Sequence, residues 1–216
     1  LRGIVLPGQA DLSGGSLGII SPRERFCHGG RVEPGDLLYG LATGSPHANG
    51  FTAIREIAAS LSERFFTKLP SGVTFGEAVL EPTPSYSPVV SGLLNAGIPI
   101  HCLQPITGHG FMKVARPKKE LTYRISYLPQ MPEVFEFMQR ESGIGDREML
   151  KTYNCGVGLV IYAPANAQEE VQSTARRFDQ EAFKMGRVEE GPRRVIVEPL
   201  GVEFGTEELS PFALRA

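Results

Sequence analysis

Two short loops carry most of the residues able to do chemistry. The first, GSPHANG (44–50), packs two glycines, a proline, a serine, a histidine and an asparagine between an apolar run and an amphipathic pattern. The second, TGHG (107–110), has the same setting, following Ile98–Ile106 and preceding MKVAR (112–116). A strand that feeds a glycine-rich turn into a helix N-terminus leaves backbone N–H groups unpaired and aligned with the helix dipole, which suits a phosphate. Gly44 and Gly50 permit close backbone approach, and Thr43, Ser45 and Asn49 add side-chain hydrogen bonds. His47 is the candidate catalytic residue, as a charge-assisted donor or a proton shuttle near neutral pH.

Asn-Gly ahead of a helix is also ordinary turn and capping chemistry, so the first loop alone decides little. Thr107, Gly108, His109 and Gly110 add weight, because two such loops at strand ends can face one cleft and hold both ends of a phosphorylated ligand. Neither loop matches the P-loop or the dinucleotide fingerprint. His101-Cys102 and Cys27-His28 are poor metal ligands, since neighbours on a strand point to opposite faces, and no metal site is expected. The basic run KVARPKK (113–119) reads as a solvated face rather than the border of an anionic ligand.

The elements that must position these loops follow from periodicity. LLYGLA (37–42) is a strand delivered by the turn VEPGD (32–36). Phe51, Ile54, Ile57, Ala58, Leu61 and Phe65 form one helical stripe, and Pro82–Pro84 opens a helix that Gly97 stops. Ile98–Ile106 is a strand with Ile98, Ile100 and Cys102 on one face. LTYRISYL (121–128) alternates as a strand, PEVFEFMQRESG (132–143) is a helix, and Asp146 is the N-cap of another. LVIYA (159–163) is a strand, Glu169–Met185 a helix, and RVEE and RRVIVEPL supply the last strands. GIVL (3–6) and LGII (17–20) read as two strands around a turn, and the tail 202–216 as irregular.

Together these predict one α+β domain over residues 1–201. The 216 residues carry a formal net charge of −2, with 41% hydrophobic and 21% charged residues, so no global field recruits nucleic acid. The odd, scattered cysteines Cys27, Cys102 and Cys155 fit no disulfide framework and suit reducing cytoplasm. No apolar run has the length of a membrane span.

Several segments, in order, resemble one family. PGDLLYGLATGSPHANGFTAIR (34–55) is similar to the GD, apolar strand and ASSGxHSNGYSLIR of aminoimidazole ribonucleotide (AIR) synthetases, the phosphoribosylformylglycinamidine cyclo-ligases. GEAVLEPTPSYSPVV (76–90) resembles their LLxPTRIYVKPV, IHCLQPITGHGF (100–111) their VHAxAHITGGGF, and MLKTYNCGVGLVI (149–161) their MYRTFNMGVGMVL. LPGQADLSGGSLGII (6–20) resembles the stretch entering the second domain. The likeness runs from Pro7 to Glu198 and implies an AIR-synthetase C-terminal-domain-like α+β fold, a mixed β-sheet flanked by helices with partly ferredoxin-like topology.

It further implies an ATP-dependent closure of formylglycinamidine ribonucleotide to the imidazole. ATP and Mg2+ would be bound mainly by an N-terminal domain absent from this chain, an expectation in keeping with its start at Leu1. That domain, a phosphorylated small molecule and, for the full-length protein, a second copy are the implied partners, and the fragment alone is expected to be inactive. Thr43, Ser45, His47, Asn49 and Gly50, with Thr107, Gly108 and Gly110, would line the cleft. Three positions depart from the pattern: Gly44 replaces a serine, Ser45 a glycine, and His109 the middle glycine of TGGG. Other enzymes of the superfamily, of the selenophosphate synthetase, thiamine-monophosphate kinase or formylglycinamidine synthetase type, and a non-catalytic metabolite-binding module are the alternative readings.

Overall fold

The computed structural model describes residues 14–209. β1 (Leu37–Ala42) leads through GSPHANG into α1 (Phe51–Ser60), α2 (Phe75–Val79) and α3 (Ser87–Asn95). β2 (Cys102–Pro105), a 3-10 helix at Gly110–Ala115 and β3 (Leu121–Ile125) follow. α4 (Glu133–Ser142) and α5 (Asp146–Thr152) precede β4 (Val157–Ala163). Then come α6 (Gln168–Arg177), β5 (Ala182–Glu190), β6 (Arg194–Val197), β7 (Val202–Phe204) and α7 (Thr206–Leu209).

The strands form one seven-stranded sheet in the order β2-β4-β1-β5-β3-β6-β7. Among the described residues, only the β3–β6 pairing is parallel. The quartet β2-β4-β1-β5, with α3 and α6 packed together on one face, is the ferredoxin-like part of this α+β fold. Leu37, Tyr39 and Leu41 of β1 and Leu159, Ile161 and Ala163 of β4 point into the core beneath α3 and α6. Leu38, Val157, Val160 and Tyr162 point the other way, into a larger core shared with Ile54, Phe75, Phe111, Phe135 and Leu150. β4 is therefore buried on both faces, which is why LVIYA is unbroken by polar residues.

The structure corrects several boundaries. GIVL lies outside the described residues, and LGII forms no strand: Leu17 and Ile19 are fully exposed. The helix after Gly50 stops at Ser60, whose hydroxyl bonds back to the Ile57 carbonyl, so Phe65 falls in a 3-10 turn. α2 was not foreseen in the periodicity. Its signature is local, a capping box in which Thr74 accepts from the Glu77 amide and Glu77 reaches back to the Thr74 amide. Ile100 and Cys102 enter different cores because the strand begins only at Cys102.

Gly145, not Asp146, is the N-cap of α5; the Asp146 carboxylate accepts instead from Gln139. The expected helix Glu169–Met185 divides into α6 and β5. Asp179 turns the chain with φ 53°, a conformation Asp tolerates, and Phe183 and Met185 alternate into the core. The tail is ordered as far as Leu209: β7 pairs with β6, and Val202, Phe204 and Leu209 are buried.

β5 sits between β1 and β3, and Gly186 is the point of closest approach. A Cβ there would fall 1.9 Å from the Arg124 carbonyl oxygen. Gly186→Ala is expected to cost about 3 kcal/mol, read as a lower urea midpoint, because backbone rather than a flexible side chain must yield. An unchanged midpoint would show that the β3–β5 spacing is slack.

Candidate functional site

GSPHANG is pinned along its length. The Thr43 amide donates to the Gly156 carbonyl (3.0 Å) as β1 ends. Ser45 is fully buried, and its carbonyl accepts from Asn154 Nδ2 at 2.9 Å. His47 adopts φ 57°; Thr43 Oγ1 lies 2.9 Å and Tyr86 OH 3.3 Å from its Nε2. Two hydroxyls converging on Nε2 suit a neutral imidazole with its proton on Nδ1. Burial pulls the His47 pKa below its usual 6.5, and burial pushes Tyr86 up to about 12, the Thr43 hydrogen bond opposing it. Gly50, at φ 70°, is the N-cap of α1 and brings no capping side chain, leaving the first-turn amides without a cap.

TGHG meets this loop directly. The Gly108 amide donates to Asn49 Oδ1 at 2.8 Å, joining residues 59 positions apart. The Gly110 amide closes the turn onto the Thr107 carbonyl. His109 stands at φ 77°, the left-handed region that a glycine would occupy without strain. The turn thus has a backbone shape suited to glycine while carrying an imidazole. Gly110, at φ 51°, packs so closely on α5 that a Cβ would fall 2.0 Å from the Leu150 carbonyl oxygen.

Between the loops and α5 lies a cavity of about 510 Å³. Gly50, Gly108 and His109 line it from the loops, Lys151 and Thr152 from α5, and Met112 forms its apolar wall. Glu148 and Glu208 stand at the same cleft. Lys151 Nζ is 3.5 Å from Glu148, and Glu208 is held by Arg147 at 2.6 Å, which keeps its pKa below the usual carboxylate value.

The remaining expected residues are placed elsewhere. Gly44 opens on a separate hollow of about 410 Å³, beside the Glu81 carboxylate. Thr43 and Ser45 are buried beneath the loop, Asn49 is engaged by Gly108, and Thr107 Oγ1 accepts from Lys113. Gly110 is explained by packing, and His47 is absent from the residues lining the cavity. The two loops do converge, but through Gly50, Gly108 and His109 rather than through Ser45 and Thr107. Lys151, Thr152 and Glu148 were missed. They sit in and just before MLKTYNCGVGLVI, where the polar positions between Met149 and Asn154 were the available signal.

One group of three possible metal ligands occurs among the described residues, Glu33, Asp36 and His101. His101 Nδ1 pairs with Asp36 Oδ2 at 2.8 Å, and the same oxygen accepts the Glu33 amide. Asp36 precedes β1, at the opposite end of that strand from GSPHANG and about 20 Å away by strand rise.

The model of AIR synthase related protein, C-terminal domain, matches residues 33–198. This chain belongs to that family. Over 193 residues it is 33% identical to a phosphoribosylformylglycinamidine cyclo-ligase of Nitrosococcus oceani, covering 87% of this chain and 52% of that one. It is 31% identical to human trifunctional purine biosynthetic protein adenosine-3, covering 90% of this chain and 20% of that one. This AIR-synthase-related domain thus spans about half the length of the cyclo-ligase it matches. In structure it is similar to the hydrogenase maturation protein HypE, with a TM-score of 0.56 and 19% identity over 86% of this chain and 56% of HypE. T. maritima PurL complexed with FGAR gives 0.53 at 13% identity, over 90% of this chain and 31% of PurL. These two likenesses establish the fold.

His47 gives the AIR-synthase-related domain a pH signature. Its folded pKa lies below the unfolded value of about 6.5, so its contribution to stability is complete above pH 6.5 and is lost as pH falls toward the folded value. The gap in urea midpoint between wild type and His47→Gln is therefore expected to narrow from pH 7.5 to pH 5. A constant gap would mean that the imidazole titrates as it does in the unfolded chain.

Proposed function

We propose that this chain is the substrate-side domain of an ATP-dependent cyclo-ligase that closes formylglycinamidine ribonucleotide to aminoimidazole ribonucleotide in cytoplasmic purine biosynthesis. Family membership and the names of its relatives support the reaction class. The observation that carries the site is the Gly108–Asn49 hydrogen bond, which brings both loops to the cavity at the start of α1.

In this reading ATP would supply the phosphoryl group that turns the formyl oxygen into a leaving group and Mg2+ would balance its charge, both held mainly outside these 216 residues. The ribose-bearing amidine nitrogen would then attack the formyl carbon, and that carbon's bond to the phosphorylated oxygen would break, releasing phosphate and a proton. Among the described residues, the cleft combines carboxylates already engaged by Lys151 and Arg147, an arrangement that fits substrate orientation better than resident metal binding. The α1 amides at Gly50 and the Lys151 ammonium attract the substrate's phosphate, and Glu148 suits its cationic amidine. Met112 keeps water from one wall. Positioning and charge stabilisation are then this domain's contribution to rate.

His109 adds an imidazole to the lining of the cleft. The expected outcomes are that the 216 residues alone release no phosphate from ATP, and that they bind formylglycinamidine ribonucleotide. Lys151→Ala should weaken that binding about tenfold by calorimetry, as the loss of one charge-assisted contact predicts. Binding that ignores Lys151 would remove the ligand from this cleft.

A further inference from the structure

Consecutive residues of the turn before β4 hold opposite ends of the GSPHANG loop. The ring edge of Tyr153 occupies the space above Gly50, where a Cβ would fall 2.2 Å from Cε1. The next residue, Asn154, is 1% exposed and donates from Nδ2 to the Ser45 carbonyl, 109 positions away in sequence. Its Oδ1 is also used, accepting the Gly156 amide at 3.1 Å, so the amide plane is fixed from both sides. Gly156 in turn accepts the Thr43 amide, and its φ of 98°, like the 45° of Cys155, is the left-handed backbone needed to fold the turn under the loop. The preceding residues, Lys151 and Thr152, line the cavity itself. One five-residue run, from Leu150 against Gly110 to Asn154 against Ser45, therefore touches both loops and the cleft between them.

We propose that Asn154 is a positioning residue: its buried side-chain amide fixes the Ser45 carbonyl and thereby sets where Gly50 and the α1 amides face the ligand. It does not touch the cavity and acts through the loop. A buried carbonyl left without a donor must find another or turn toward water, and either movement shifts the segment that ends at Gly50. The proposal rests on the cyclo-ligase reading for the identity of the ligand, but its hydrogen bond does not.

Asn154→Asp tests it. The replacement keeps the acceptor for the Gly156 amide; ionised, it offers Ser45 no donor, whereas protonated it can donate as the amide did. Burial raises such a carboxyl's pKa, so the variant should change behaviour within an accessible pH range. With the 216-residue chain at pH 8, hydrogen exchange of the amides from Gly44 to Phe51 should be at least tenfold faster than in wild type, while β4 exchange is unchanged. Binding of formylglycinamidine ribonucleotide should be about tenfold weaker, and both ratios to wild type should recover as pH is lowered. Should Asn154→Asp unfold at pH 8, Asn154→Ser removes the reach to Ser45 without burying a charge and should show the same loop-confined exchange.

Equal exchange in variant and wild type, or acceleration spread evenly over β4, overturns the proposal. So does wild-type affinity in a variant whose loop exchanges faster, since the loop position would then not matter to the ligand. If wild type itself binds no formylglycinamidine ribonucleotide, the cyclo-ligase reading fails. The proposal then stands on a loop-confined, pH-reversible change in exchange and falls without one.

Discussion

The C-terminal end of α5 approaches both loops too closely for a side chain to intervene, and the cleft exists because of that approach. Gly50 is pressed by Tyr153 and Gly110 by the Leu150 carbonyl. Both glycines also hold positive φ, so space and backbone conformation require the same residue. An alanine at either place would have to move a helix or a fully buried ring. The glycines that first suggest room for an anion are thus, in part, room for the protein itself, and the open space is what remains beside Gly50, Gly108 and His109.

Much of the fold was legible because its signals are local. The stripe from Phe51 to Ala58, α3 with Gly97 after it, and the unbroken β4 each express one dominant period or a run too apolar to be exposed, although α3 begins at Ser87 with Pro88 in its first turn and not at Pro82–Pro84. Failures came where tertiary contacts override periodicity. Phe183 and Met185 can continue a helical stripe in sequence, yet they are strand residues because β1 and β3 require a strand between them. α2 was hidden in five residues, too few to show a period, although Thr74 and Glu77 announced it.

The site was legible at coarser grain than its residues. The two loops singled out by family likeness do meet, through Asn49 and Gly108. Sequence cannot distinguish a polar residue aimed at a ligand from one aimed at its own scaffold, however. Ser45 and Thr43 became scaffold because the loop folds down onto the turn at Asn154 and Gly156, a contact made across more than a hundred residues. Lys151 and Thr152 were overlooked for the converse reason: on a helix their facing depends on where α5 packs, and Gly110 decides that.

The order of strands has a consequence for how the chain is made. β1 finds its two sheet neighbours in β4 and β5, both more than a hundred residues further along. On the ribosome, Leu38, Tyr39 and Leu41 must therefore be synthesised and wait, unpaired on both edges, until more than a hundred further residues have emerged. During that interval both edges of β1 and its apolar side chains are open to wrong partners, so shielding of the nascent strand bears on how much of the chain reaches the finished fold.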